Sequence, residues 1–263
     1  MKDYKTIFDS IEASLYTEGS KNLSIDKIRE NLDWTKHLEH KTFSDNEYYT
    51  KLVDIIFYSG FRAATVTAKI PIIHMHFPDY ITVAGYTNDK VDQILNDNNM
   101  IRNRVKIISC IENAQVFRNL IQKHGSIQNY IDAFFPETSF ENLMILKDEL
   151  QKRFHRLGKI TVFHFLTDSG LPVLKPDRVI CRIFERLGLI ESRESLLEAV
   201  IQGRKLAEAT GNPIRYVDII FVAYGQIKSP EFGIEHGICL EKNPSCHLCG
   251  ARTFCNYYSV RTI

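Results

Sequence analysis

The sequence predicts an all-α fold. Three observations predict it. Apolar residues recur at three- and four-residue spacing along most of the chain, Gly and Pro separate those stretches, and no alternating run reaches strand length. The 263 residues are 44% hydrophobic and 25% charged, enough for one large domain or two small ones with an ordinary core. That composition argues against disorder, and no apolar run reaches membrane-spanning length. Formal net charge is only +1, so any surface for a polyanion must come from local clusters.

In chain order, the stretch Met1-Lys2-Asp3-Tyr4-Lys5 lacks the apolar core of a signal peptide, and a cytoplasmic protein with reduced thiols is expected. Trp34, the only tryptophan, is expected in the core. Helices are expected over 47–69, 90–99, 104–123, 140–154, 160–169, 178–188, 193–209 and 214–226. Pro71, Pro78, Gly125, Pro136, Gly158, Gly170, Pro172, Pro176, Gly188, Gly211 and Pro213 separate them. His74 and His76 have no third ligand nearby and read as loop or core residues, and Cys110 and Cys181 as buried thiols on apolar faces. Residues 50–170 read as one helical lobe, with 1–49 and 171–263 packing together as a second.

The last 25 residues hold Cys239, Cys246, Cys249 and Cys255, spaced C-x6-C-x2-C-x5-C. Thiolates packed that densely hold a metal centre. Structural zinc usually takes two C-x2-C knuckles or mixes Cys with His, and only one such pair is present. Four Cys on one short wrap suit a 4Fe–4S cluster, which needs four thiolates around a compact volume. Zinc is the alternative.

Two further stretches carry chemistry. In Arg153-Phe154-His155-Arg156-Leu157-Gly158-Lys159-Ile160-Thr161-Val162 a helix is expected to end near Arg156 and a new one to follow a turn at Gly158. Backbone N–H groups at such a helix start can bind phosphate, and Gly permits both the turn and close approach. In Lys175-Pro176-Asp177-Arg178, Asp177 reads either as a helix cap or as a carboxylate at the mouth of a cleft between lobes. Breaking an N-glycosidic bond builds positive charge on the sugar, which a fixed carboxylate stabilises while orienting or deprotonating a water. Two basic clusters, Arg102, Arg104 and Lys106, and Lys152, Arg153, His155, Arg156 and Lys159, read as solvated helix faces or local phosphate contacts.

The order of these features, a hairpin turn, a helix, Gly170, a Pro-Asp helix start and a cysteine loop, resembles that of the helix-hairpin-helix (HhH-GPD) DNA glycosylases. The cysteine spacing resembles the cluster loop of their endonuclease III and adenine-glycosylase branch. A finer likeness is to 3-methyladenine DNA glycosylase I, in Gly60-Phe61-Arg62-Ala63-Ala64, in Ile101-Arg102-Asn103-Arg104-Val105-Lys106-Ile107 and in the spacing from hairpin to Gly170. Together the likenesses cover roughly residues 50 to 255.

The resemblance implies a two-lobed all-α HhH-GPD glycosylase fold with a 4Fe–4S loop over 239–255. It implies double-stranded DNA with a flipped-out base as substrate, and Asp177 as the catalytic aspartate. Leu157, Gly158, Lys159, Thr161, Arg104 and Lys106 would hold phosphates, Arg62 would enter the gap in the duplex, and Tyr58, Ser59 and Phe61 would line the base pocket. Lys242 and Arg252, between the cysteines, could also touch phosphate.

Endonuclease III-like members cut the backbone with a lysine two positions after the second hairpin glycine. That position is Ile160 here, and Lys159, one residue early, turns away by about 100°. Counting back from Asp177 by the endonuclease III spacing instead lands on Lys159, which would then be the lyase residue. A monofunctional enzyme is expected, with a lyase through Lys159 as the alternative within enzymes and a non-catalytic DNA-binding protein as the rival outside them. In 3-methyladenine glycosylase I a glutamate precedes the Gly-Phe, where this chain has Ser59, which carries no charge to attract a cationic lesion. Alkylated purine is the first substrate expectation. A monomer is expected, cytoplasmic and, in a bacterium, nucleoid-associated.

Overall fold

In the computed structural model, which describes residues 3–39 and 41–261, short polar side chains start most helices. Met1 and Lys2 of the N-terminal stretch lie outside the described residues. Asp3 caps α1 (Tyr4–Gly19) and Ser24 caps α2 (Ile25–Leu32), each accepting from a first-turn amide. At α3 (Asp45–Tyr58) the Ser44 hydroxyl accepts from the Glu47 N–H at 3.2 Å, and the Glu47 carboxylate accepts from the Ser44 N–H at 2.7 Å. There follow α4 (Ala63–Thr67), α5 (Ile70–His76), α6 (Tyr80–Val83), α7 (Asn88–Asn96), α8 (Arg104–His124) and α9 (Ile127–Asp132). The chain continues through α10 (Phe140–Arg153), α11 (Thr161–Asp168), α12 (Arg178–Arg186), α13 (Leu196–Thr210), α14 (Ile214–Gly225) and α15 (Asn256–Arg261). No strand forms among the described residues; one isolated antiparallel bridge joins Ser229 and Ile234.

The single helix expected over 47–69 is broken. Ser59 and Arg62 are extended and Gly60 takes a φ of +79°, a conformation open to Gly at little cost. The apolar spacing runs on through the break, which is why periodicity hides it. Pro71 starts a helix rather than stopping one, since in the first turn its missing N–H costs nothing. The first 45 residues, for which the sequence reading gave no helix bounds, carry α1, whose Ile7, Phe8, Ile11 and Leu15 are all fully buried.

The chain divides into two units, Met1–His40 with Pro172–Ile263, and Lys41–Leu171. The sequence reading put the first division at 49/50. It falls at 40/41 because the capping box at Ser44 opens α3 as one uninterrupted element.

In the Lys41–Leu171 unit a run of rings ties four elements together. Tyr49 meets Phe117 edge-on at 5.5 Å, Phe117 meets Phe154 at 5.4 Å, and Phe154 lies 6.5 Å from Phe165. Burying each ring contributes about 1.5–3 kcal/mol, and because Phe154 directly follows α10, the same run anchors the turn after it. His74 and His76 pair with different carboxylates, Asp54 and Asp97, each at 2.8 Å. Cys110 is buried in this unit, and burial pushes its thiol up.

In the other unit α1 packs against α13 and α14. Phe184 of α12 meets Phe221 of α14 edge-on at 5.0 Å. Two glycines allow close approach. A Cβ at Gly225 would stand 2.6 Å from Val179, so glycine there lets α14 come close to α12, and one at Gly203 would stand 1.9 Å from Leu174. These contacts fix the segment that leads into α12. Cys181 is buried on α12, its thiol pushed up to about 12 by burial. Trp34, expected in the core, is 48% exposed, with the Arg215 guanidinium 5.3 Å from its ring centre. It sits in a short turn whose neighbours Leu32 and Thr35 take the interior positions instead.

Candidate active site

Asp177 is the helix cap that the sequence allowed. As the cap of α12, its Oδ1 accepts from the Val179 and Ile180 amides at 2.8 and 3.1 Å. Its Oδ2 takes no part in capping and lies 3.4 Å from Lys175 Nζ, with the side chain 23% exposed. One oxygen thus holds the carboxylate in place and the other faces the Lys175 ammonium. Behind this segment, Asp218 of α14 accepts from the Lys175 N–H at 3.1 Å and from Arg215 at 2.8 Å. Asp218 is fully buried; desolvation pushes its carboxyl up against the opposing pull of Arg215.

The turn between α10 and α11 departs in detail from expectation. Helix α10 ends at Arg153, three residues early, and the left-handed position falls on Arg156, with φ +68°. Gly158 has no positive φ, and a Cβ there would meet only Thr161 Oγ1 at 3.8 Å, so the turn itself does not demand glycine. The Gly158 N–H is also occupied, donating to Thr161 Oγ1 at 2.7 Å while that hydroxyl donates to the Arg156 carbonyl at 2.9 Å. Thr161 therefore braces the turn. The amides of Lys159, Ile160 and Thr161 have no partner among the described residues and stand open at the start of α11. The Leu157 side chain is buried and anchors the turn rather than meeting a ligand, whereas Lys159 is exposed. From α8, the fully buried Asn113 donates to the His155 carbonyl at 3.0 Å and accepts from the His155 N–H at 2.8 Å. Sequence reasoning missed this clamp, although an Asn amid the apolar residues of a long helix is a signal of a buried polar contact.

Lys106 does not reach phosphate. It is 2% exposed, and its ammonium donates to the carbonyls of Ile56, Phe57 and Ser59, the last at 2.6 Å, beside the Phe61 ring. It satisfies the carbonyls that α3 leaves unpaired where it stops at Tyr58, and so shapes the turn at Ser59–Phe61. Burial lowers its pKa to about 8. Ser59 and Arg62 are exposed and Phe61 is 40% exposed, while the Tyr58 hydroxyl is engaged with Thr67 at 2.9 Å. Arg104 is exposed at the start of α8 and paired with Asp92 at 2.7 Å.

Lys106→Met strands three carbonyls and is expected to cost about 1–3 kcal/mol, read from the urea midpoint. The native pKa lies below the unfolded value, so the lysine's stabilising contribution is full above pH 10.5 and falls away as pH drops through about 8. The gap between wild type and Lys106→Met should widen from pH 8 towards 10.5; a gap that stays flat would contradict this burial.

The four cysteines of the C-terminal loop line one small pocket, together with Ile238, Pro244, Arg186 and Tyr257. The loop is tied down at several points. Arg182 donates to the Cys239 carbonyl at 3.0 Å, Arg186 donates to Cys239 Sγ at 3.2 Å and stacks over Tyr257, and the Gly250 N–H donates to Ser14 at 2.8 Å. Burial pushes the Cys239 thiol up and that of Cys249 up to about 11. Among the described residues no three His, Cys, Asp or Glu side chains converge as a single ion needs, with sulfurs about 2.3 Å from the metal. Four soft donors thus share one pocket, with a guanidinium on one sulfur. Lys242 and Arg252 of this loop are exposed.

Residues 31–175 match the methyladenine glycosylase family. The chain belongs to that family. It is a DNA glycosylase in class, and the matched stretch holds the Ser59–Phe61 turn, Lys106 and the hairpin but ends before Asp177 and the cysteines. Solved glycosylases cover the remainder of the fold. A trapped endonuclease III–DNA covalent intermediate is similar at TM-score 0.58 and 16% identity, over 92% of this chain and 100% of that one. The 8-oxoguanine DNA glycosylase Tm1821 of Thermotoga maritima is similar at 0.52 and 17%, over 82% and 96%. A 3-methyladenine DNA glycosylase I from Staphylococcus aureus matches at 0.45 and 18%, over 53% and 84%. No described helix is long and apolar enough to cross a membrane.

Proposed function

We propose that this family member excises a damaged or modified base from double-stranded DNA by hydrolysing the N-glycosidic bond, with Asp177 as the catalytic carboxylate. The observation that carries this reading is the division of labour at Asp177, where Oδ1 is spent on the α12 amides and Oδ2 is left over. As the C1′–N bond breaks, the base leaves with the electron pair and the sugar becomes cationic. Oδ2 stabilises that charge and takes a proton from the water that adds to C1′. The amides of Lys159, Ile160 and Thr161, with Arg104, hold phosphates, and Arg62 fills the space the base vacates. Phe61 and Tyr58 stack on the extruded base while Ser59 offers it one hydrogen bond. Alkylated purine is the first substrate class, supported by the family; Ser59 supplies no negative charge for a cationic base. Cys239, Cys246, Cys249 and Cys255 would hold a 4Fe–4S cluster, which ties the C-terminal loop into one rigid piece when bound. The enzyme acts as a monomer in the cytoplasm.

A cationic sugar mimic tests the carboxylate without knowledge of the base. Duplex with a pyrrolidine in place of one deoxyribose should bind more tightly than duplex with an uncharged tetrahydrofuran, and Asp177→Asn should erase the preference. Equal affinity of wild type for the two duplexes would count against Asp177.

A further inference from the structure

Among the described residues Asp218 is the only buried carboxylate. A buried charge costs more than an apolar side chain of similar size, so its presence calls for a reason other than stability. The helix that carries it is firmly set. At the start of α14 the Ile214 N–H donates to Glu39 at 2.6 Å, and Val217, Ile220 and Phe221 are fully buried. Each Asp218 oxygen has one partner: Oδ2 accepts from Arg215 at 2.8 Å and Oδ1 from the Lys175 N–H at 3.1 Å.

What Oδ1 holds is the turn that delivers Asp177. Pro176 turns Lys175 away from helical backbone. The Lys175 carbonyl accepts from the Asp177 N–H at 2.8 Å, which closes a tight turn around Pro176. Val173 and Leu174, just before it, are fully buried. Asp177 itself stands outside the helix it caps, with φ −84° and ψ 177°. The direction of its Oδ2 therefore depends on the incoming turn as well as on α12. One bond from α14 fixes that turn from behind.

We infer that Asp218 is a positioning residue, which aims Oδ2 of Asp177 at the sugar by holding the Lys175 amide; the inference rests on the reading of Asp177 above. Misplacing a reacting group by about 1 Å costs about 10²-fold in rate. A bond behind the turn thus controls the rate without touching substrate. Arg215 supports it by keeping Asp218 ionised, since a charged acceptor makes the stronger bond.

Two substitutions separate positioning from folding. Asp218→Asn keeps an acceptor for the Lys175 N–H but loses the charge opposite Arg215, and Asp218→Ala loses both. Both variants should melt below wild type. Each is then titrated with duplex carrying the cationic pyrrolidine and with duplex carrying uncharged tetrahydrofuran. Wild type and Asp218→Asn should prefer pyrrolidine, whereas Asp218→Ala should bind the two alike, with its affinity for tetrahydrofuran duplex unchanged. On any base that wild type releases, Asp218→Ala should lower kcat about 10²-fold and leave KM in place.

A preference retained in Asp218→Ala, or lost equally in Asp218→Asn, overturns the proposal. Weaker binding of both duplexes in step with melting temperature also overturns it, because that marks a folding role alone. If Asp218→Ala does not fold, Asp218→Asn still decides: a lower melting temperature with the preference intact is expected, and loss of the preference contradicts it. No preference in wild type sinks the reading of Asp177, and the positioning role with it. A preference in wild type that Asp177→Asn erases and Asp218→Ala keeps sinks Asp218 alone.

Discussion

Asp177→Asn is expected to lower base release by about 10²–10³-fold, the scale for removing one electrostatic stabiliser of a transition state, while the protein stays folded and binds DNA. The reason lies in the two oxygens. Asn is as good a helix cap as Asp, and its Oδ1 can still accept from the Val179 and Ile180 amides. Only the charge at Oδ2 disappears, together with a pair to Lys175 that, partly exposed, is worth at most about 1 kcal/mol. Asp177→Ala serves as the contrast. It loses the cap as well, which costs a further 0.5–2 kcal/mol or about that, so its melting temperature should fall where that of Asp177→Asn does not. Equal melting temperatures for the two variants would mean that the cap contributes nothing, and the carboxylate would lose its fixed geometry.

Cys246→Ser is expected to remove iron and acid-labile sulfide from the purified protein and to lower its melting temperature sharply. Metal binding at such a loop is folding free energy, several kcal/mol or about 10 in the structural sites where it has been measured. Without the cluster the loop keeps its ties to Arg182, Arg186 and Arg193 and the Gly250 amide on Ser14, but nothing then links the four thiols to one another. With the cluster gone, its exposed Lys242 and Arg252 lose their fixed positions, so DNA affinity should drop with yield. Iron-free protein with unchanged melting and binding would refute the structural role, and zinc in place of iron would favour the alternative donor chemistry.

What the sequence made legible was whatever depends on local spacing. Helical periodicity and the Gly and Pro breakers located most elements, four cysteines within 17 residues marked their own loop, and Pro176-Asp177 announced a helix start. What it concealed depends on contacts between distant residues. The motif Arg102-Asn103-Arg104-Val105-Lys106 reads as a basic face, yet Lys106 is buried because α3, some 50 positions earlier, ends with carbonyls facing it. The Asn113 clamp spans 42 residues to His155, and no local pattern encodes it. Trp34 looked like core by residue type, but burial there goes to Leu32 and Thr35. Asp177 was posed as cap or catalyst; its Oδ1 makes the cap, and catalysis by Oδ2 is the proposal.

The most direct measurement is base release. Duplexes carrying methylated, deaminated, oxidised and hypermodified bases are incubated with wild type and with Asp177→Asn, and freed bases are identified by mass spectrometry. At least one base should be released by wild type and retained with the variant, which names the substrate. Silence from wild type across the panel, with tight DNA binding intact, would contradict the glycosylase account and leave a DNA-binding protein in its place.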